Sequence, residues 1–233
     1  MNKTNFLIVS AFSLTTFAAA AAEIDVTVQN TTHAMYFTPL IIAAHAMDAS
    51  IFTSGQAASS ELQAMAEGGD ISGLESLLSG TTANTISNPA PGLLIPGAAA
   101  TATLSTDSAN QYLSLSAMIL PTNDGFVGLD SWKIPEEAGT YTIKINAYDA
   151  GTEANNEIVS MGSGAPGVLG IPAAPGMDAG TGGLGVTTSE SNATVHIHRG
   201  NLGDDDIAGG NSDLSNTVHR WLNPVATVTV VVK

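Results

Sequence analysis

Apolar and polar residues alternate along several short stretches of this chain. Ile24-Asp-Val-Thr-Val-Gln-Asn30 repeats with a period of two, which puts Ile24, Val26 and Val28 on one face of a half-buried strand. Residues 98–106, 112–120 and 140–147 alternate in the same way, and Asp107-Ser-Ala-Asn110 between the first two reads as a turn. Thr194-Val-His-Ile-His198 predicts a further short strand. Residues 225–233, rich in β-branched side chains, predict the last one. Residues 34–45 are apolar almost throughout and read as buried, with Pro39 limiting their ladder pairing.

Two segments follow the helical period instead. In residues 57–67, Leu62, Met65 and Ala66 fall on one face, and Gly68-Gly69 supplies the stop. Asp70 is placed to cap a second short helix whose Leu74, Leu77 and Leu78 share a side. Residues 162–185 are dense in Gly and Pro and show no period, so they predict a long surface loop, a kind of segment that is usually functional or disordered. The elements add up to an all-β chain, read as an antiparallel β-sandwich with two short helices near its N-terminal end. There is no internal repeat and no domain boundary.

The first 22 residues change the picture of where the chain works. Lys3, the apolar run 6–17 and the small residues 18–22 form the pattern of a secretory signal peptide, with cleavage expected near Ala22. Ser10, Ser13, Thr15 and Thr16 interrupt the run, and a spanning helix needs roughly 20 apolar residues. The expectation is a mature domain over 23–233, secreted or periplasmic, with no transmembrane segment. The chain has no Cys, so disulfides, thiolate metal sites and a lipid-bearing Cys are excluded. Six Lys and Arg stand against 21 Asp and Glu, a formal net charge of −15 at pH 7. Such a surface repels phosphate backbones, which argues against nucleic acid as a partner, and attracts divalent cations.

Two acidic segments close apolar runs: Pro121-Thr-Asn-Asp-Gly-Phe-Val-Gly-Leu-Asp-Ser131 and Tyr148-Asp-Ala-Gly-Thr-Glu153. They offer Asp124, Asp149 and Glu153 as oxygen ligands for one hard cation. The competing reading makes them turn acids that bond local backbone. His196 and His198 alternate on a strand and could ligate a transition metal, with His33, His45 or His219 as a third ligand. An ordinary structural role competes for all five, and His45 in its apolar segment reads as a hydrogen-bonded core residue. Asp204-Asp-Asp-Ile-Ala-Gly-Gly210 begins like an EF-hand loop, but Ala208 and Ser215 occupy its fifth and twelfth positions, so the ligand set fails. No nucleophile-elbow, zinc-protease or phosphate-loop motif is present.

The landmarks resemble the spondin domain family, the N-terminal module of F-spondin and mindin that also occurs alone in bacterial secreted proteins. Tyr36-Phe-Thr-Pro-Leu-Ile-Ile-Ala-Ala-His45 looks like the family's opening, and the stretch from Ala57 to Asp70 like its Ala-Glu-x-Gly-Asp helix. Asp124-Gly-Phe-Val-Gly-Leu-Asp-Ser131 is similar to Pro-Asp-Trp-Phe-Val-Gly-Val-Asp-Ser, and Asp149-Ala-Gly-Thr-Glu153 to Asp-Ala-Gly-Thr-Asp. Asn223-Pro-Val-Ala-Thr-Val-Thr229 resembles the closing strand. The departures are Gly125 in place of Trp, Glu153 in place of Asp, and a Gly/Pro-rich insertion with no counterpart. The resemblance implies a C2-like antiparallel β-sandwich binding Ca2+ through Asp124, Asp149 and Glu153. Calcium suits such a set because it takes six to eight oxygens at about 2.3–2.6 Å from carboxylates, carbonyls and water.

Three functions follow as expectations. The first is a secreted, non-catalytic, calcium-binding adhesion or interaction module whose partner is a cell-surface or matrix protein or glycan. The second is a secreted metalloenzyme or transition-metal carrier built on His196 and His198. The third is a self-assembling surface structural protein.

Overall fold

The computed structural model describes residues 22–177, 180–206 and 208–233; of the expected signal segment only Ala22 falls among them. The elements are β1 (Ala22–Asn30), β2 (Tyr36–Phe37), β3 (Ile41–His45), α1 (Ser60–Gly68), α2 (Ser72–Ser79) and β4 (Asn84–Ser87). They continue as β5 (Ala99–Thr106), β6 (Tyr112–Leu120), β7 (Gly125–Lys133), β8 (Gly139–Asp149), β9 (His196–Ile197) and β10 (Ala226–Val232).

Hydrogen-bonded neighbours run in the order β4-β3-β6-β7-β8-β10-β1-β5, with β2 added to β6 and β9 to β8. Every ladder between these strands is antiparallel. The two ends of this order meet: Asn84 on β4 donates its side-chain amide to the Ser105 carbonyl on β5 at 2.7 Å. The sheet is therefore a nearly closed barrel, and the expected two-sheet sandwich is corrected on this point. One interior holds inward side chains from around the ring, among them Val26, Ile42, Leu115, Val127, Ile145, Val228 and Leu104. A sandwich and a barrel present the same alternation along each strand; closure depends on which edges pair.

The helices cover one side of the barrel. Leu62, Met65, Leu74 and Leu78 pack with Ile41, Ala43, Met118 and Phe126 on the outer faces of β3, β6 and β7. Those strands are thus apolar on both faces, whereas β1 is buried only at alternate positions. Burying each large aliphatic side chain is worth about 1.5–3 kcal/mol. Ser59 caps α1 by accepting from Leu62 N at 3.1 Å, and Gly69 ends it at φ 73°. Asp70 Oδ1 accepts from Ser72 N at 2.9 Å as α2 begins.

Two strands were not apparent in the pattern. β4 is short and half-exposed, and β7 begins in the acidic segment itself. β9 is shorter than the expected strand around it. The Gly/Pro-rich segment forms no named strand or helix among its described residues. Among the described residues no helix is long and apolar enough to cross a membrane.

Candidate metal centre

Strand pairing brings the two acidic segments together. Gly125 opens β7 opposite Asp149, the last residue of β8, so Asp124 sits across the ladder from the turn that follows β8. Ala150 N donates to the Asp124 carbonyl at 3.2 Å. Beneath this end lies an aromatic base: Phe126 stacks on Tyr148 with centroids 5.6 Å apart, and Phe52 meets Phe126 edge-on at 5.0 Å. That packing fixes the strand ends from which the carboxylates project.

The turn itself is built around Gly151, which has φ +70°; a Cβ there would stand 2.6 Å from the Asn192 carbonyl oxygen and 2.7 Å from Thr194 N. Only Gly accommodates both the conformation and the approach. Asp149 Oδ1 accepts from Gly151 N at 2.8 Å, and its Oδ2 accepts from the Asn155 side chain at 2.6 Å. Asp124 Oδ2 accepts from Thr152 N at 2.8 Å, Thr152 Oγ1 at 3.2 Å and Glu153 N at 3.1 Å. Glu153 Oε2 accepts from the Asn123 side chain and from Gly170 N, both at 3.1 Å.

One oxygen of Asp124 (Oδ1) and one of Glu153 (Oε1) are buried without any hydrogen-bond partner. Leaving a carboxylate oxygen buried and unpaired is costly unless a positive charge or a proton compensates it. The titration behaviour follows. Burial, with the Asp149 charge beside it, pushes Asp124 up to about 8 against the amides that oppose the shift. Burial likewise raises Glu153 to about 7, helped by Glu67, and raises Asp149. Crowded carboxylates that resist ionisation form a set that a cation would stabilise. Among the described residues no three His, Asp or Glu side chains stand together in an arrangement that could hold a metal ion. Asp124, Asp149 and Glu153 are neighbours, and the free oxygens belong to two of them.

The histidines are placed differently from the expectation of two side by side on one face. His196 is half-buried, with Nε2 3.8 Å from Asp149 Oδ2 and Nδ1 2.8 Å from the Thr194 carbonyl. His198 is buried just past β9. Its Nδ1 accepts from Gly200 N at 2.9 Å, so its Nε2–H donates to Asn155 Oδ1 at 3.1 Å, and its ring lies 5.0 Å from that of Trp221. Burial, reinforced by Arg199 and His196, lowers its pKa to about 3. With both nitrogens engaged, His198 has no free lone pair for a metal. His45 is the core residue expected. Its Nδ1–H donates to the Ala46 carbonyl at 2.6 Å and its Nε2 accepts from Ser114 Oγ at 2.7 Å, deep between β3 and β6. His219 accepts from Ser215 N. Asp204 binds the amides of Asp206, Asn211 and Ser212, the behaviour of a loop acid.

Sequence reasoning did not single out Asn123, Asn155, Glu157 or Asp213. All four are buried in polar segments and bind backbone amides or carboxylates around the centre. The one signal available was the run of amide-rich residues after Glu153. Gly125 is also explained: a Cβ there would lie 2.7 Å from Thr122 Oγ1 and 3.1 Å from the His198 ring, so this chain has no space for an indole at that position.

The fold defines the class as a nearly closed antiparallel β-barrel whose acidic turns meet at one end. The Spondin_N family model matches residues 27–163, more than half of the chain, and the protein belongs to that family. The match takes in the last residues of β1, the strands from β2 through β8, both acidic turns and both helices. A search of curated proteins finds no match.

Proposed function

We propose that the protein is an exported, calcium-binding, non-catalytic interaction module, with Asp124, Asp149 and Glu153 as the protein's carboxylate ligands. The observation that carries the calcium assignment is the pair of buried, unpartnered oxygens, Asp124 Oδ1 and Glu153 Oε1, on adjacent loops. The donors are hard oxygens, which favours calcium over the softer transition metals. Asp124 keeps Oδ2 on the amides of the 149–153 turn, so its other oxygen can serve an ion without breaking the turn. Bound calcium would supply the positive charge that lets these carboxylates ionise together. Family membership supports the interaction-module reading; the partner would be a cell-surface or matrix protein or glycan.

The test is thermal unfolding with calcium, with magnesium and with a chelator, beside an Asp149→Ala variant. A ligand that binds only the folded state stabilises it by about 2.7 kcal/mol at one hundred times its dissociation constant. The expected result is a rise specific to calcium that is absent from the variant. An equal response to both cations, or none to either, overturns the assignment.

A further inference from the structure

We propose that the Gly/Pro-rich insertion is a wall of the cation site, with Gly170 and Glu67 as positioning residues that hold the Glu153 carboxylate. This inference rests on the calcium reading above. Gly170 lies outside the family match, which ends at residue 163.

Glu153 is the link. Its Oε2 is held by Asn123 from the barrel side and by Gly170 N from the insertion, while Oε1 is left free. A carboxylate can use one oxygen for an amide and present the other to an ion. Gly170 is itself tightly located. Ile171, fully buried, donates its N–H to the Ile158 carbonyl at 2.7 Å and accepts from Ser160 N at 3.1 Å. Gly170 has φ +131°, and a Cβ there would stand 2.6 Å from Ser160 Cβ. No other residue brings this N–H to Glu153 without moving the 158–160 backbone.

Glu67 pins the same segment from the other side. Buried at the end of α1, it accepts from Gly167 N at 2.6 Å through Oε2 and from the Gln63 side chain at 2.8 Å through Oε1. Gly68 and Gly164 are in such close contact that any Cβ on Gly68 would collide with the Gly164 carbonyl oxygen. Two buried carboxylates, Glu67 and Glu153, therefore grip amides three residues apart on one loop.

Their charges also oppose one another, and Asp124 adds a third. A cation on the free oxygens removes that repulsion and keeps Glu153 on Gly170. Loss of the cation favours withdrawal of Glu153, which leaves Gly170 N unpaired. Coupling of this kind is reciprocal: whatever orders the loop must tighten the cation, and the cation must order the loop.

The experiment is amide hydrogen exchange on the mature chain in calcium chloride and in chelator, with calcium binding measured by calorimetry for wild type and Glu67→Ala. In wild type, calcium is expected to slow exchange across residues 167–171 by about tenfold or more, with strands β1 and β10 unaffected. Glu67→Ala is expected to weaken calcium binding by about tenfold, the scale of lost outer-shell support at a metal site. If calcium binds but the 167–171 amides do not respond and Glu67→Ala binds as wild type does, the insertion is not part of the site, and the calcium reading stands alone. If calorimetry shows no calcium binding, both readings fall. Should Glu67→Ala fail to fold, the exchange of the wild type decides by itself.

Discussion

Two groups of buried carboxylates flank the same insertion, and they are solved in opposite ways. Asp213 is saturated: Val159 N binds Oδ2, and Thr181 N, Thr181 Oγ1 and Gly183 N bind Oδ1, all within 3.1 Å. Although burial works against it, these bonds hold its pKa below the usual range. Glu157 is equally occupied, taking Leu202 N, Gly203 N and Ser212 Oγ. Asp124 and Glu153 each leave one oxygen bare, and both pKa values rise. A buried acid with every lone pair filled is a staple for backbone that has no strand or helix of its own. A buried acid with an empty oxygen is waiting for a charge. The contrast separates structure from site more cleanly than acidity, which both groups share.

The comparison breaks most visibly at the staple. Asp213→Ala takes the acceptor from three amides, Val159 N before the insertion and Thr181 N and Gly183 N within it, and an unpaired group costs about 1–3 kcal/mol where it is buried. A loss of about 2 kcal/mol is expected in urea unfolding, the same in calcium and in chelator. A loss confined to calcium-containing buffer would make Asp213 part of the cation site and erase the distinction.

The pH dependence sharpens the same contrast with an effect of similar size. Asp124, raised from 3.8 to about 8, and Glu153, raised from 4.5 to about 7, keep their protons in the folded chain at pH values where the unfolded chain has lost them. Their contribution is fully present below the unfolded values and is lost as pH climbs through the folded ones. His198, lowered from 6.5 to about 3, acts in the opposite sense, but only below 6.5. Between pH 6.5 and 8 the two carboxylates dominate these terms. In chelator, stability is expected to fall across that window by on the order of 2 kcal/mol. Calcium, which binds the ionised forms, should flatten or reverse the slope. Asp124→Asn should remove the calcium response and the larger part of the fall, leaving the smaller part that Glu153 contributes up to about pH 7, measured by thermal unfolding at matched ionic strength. An undiminished slope between pH 7 and 8 in Asp124→Asn would assign it to another group.

Much of this architecture could be read along the chain, for specific reasons. The period of two at Ile24, Val26 and Val28 and the β-branched run at the C-terminus survive as β1 and β10 because each faces the interior with one side only. Both helices appear where Ser59, Gly69 and Asp70 supply end signals. β7 escaped notice because Gly125 and Gly128 dilute its pattern, and because burial on both faces removes alternation. Barrel closure rests on contacts such as Asn84 to Ser105, between residues far apart in the chain, and no local pattern encodes them. The acidic trio was visible as a motif, but its organisation was not. Which oxygen of Asp124 stays free depends on the amides of Thr152 and Glu153, and the hold on Glu153 comes from Gly170 in a segment with no period at all.

The smallest expected effect concerns His196, and it decides what kind of ion the site prefers. Its imidazole is half-exposed and 3.8 Å from Asp149, a distance at which a solvent-screened pair contributes only about 0.2–1 kcal/mol. Its nearest histidine neighbour, His198, has spent Nδ1 on Gly200 and Nε2 on Asn155. His196→Ala should therefore leave calcium binding and its stabilisation within about twofold of wild type. A transition-metal centre would behave otherwise: zinc or copper bound by the wild-type protein would be lost from this variant while calcium was indifferent to it. Because Asp149 touches both the histidine and the carboxylate set, only the pairing of His196→Ala with Asp149→Ala separates the two. Loss of calcium in the second variant alone places the ion among the carboxylates, and loss of a tightly bound transition metal in both moves it to the histidine side.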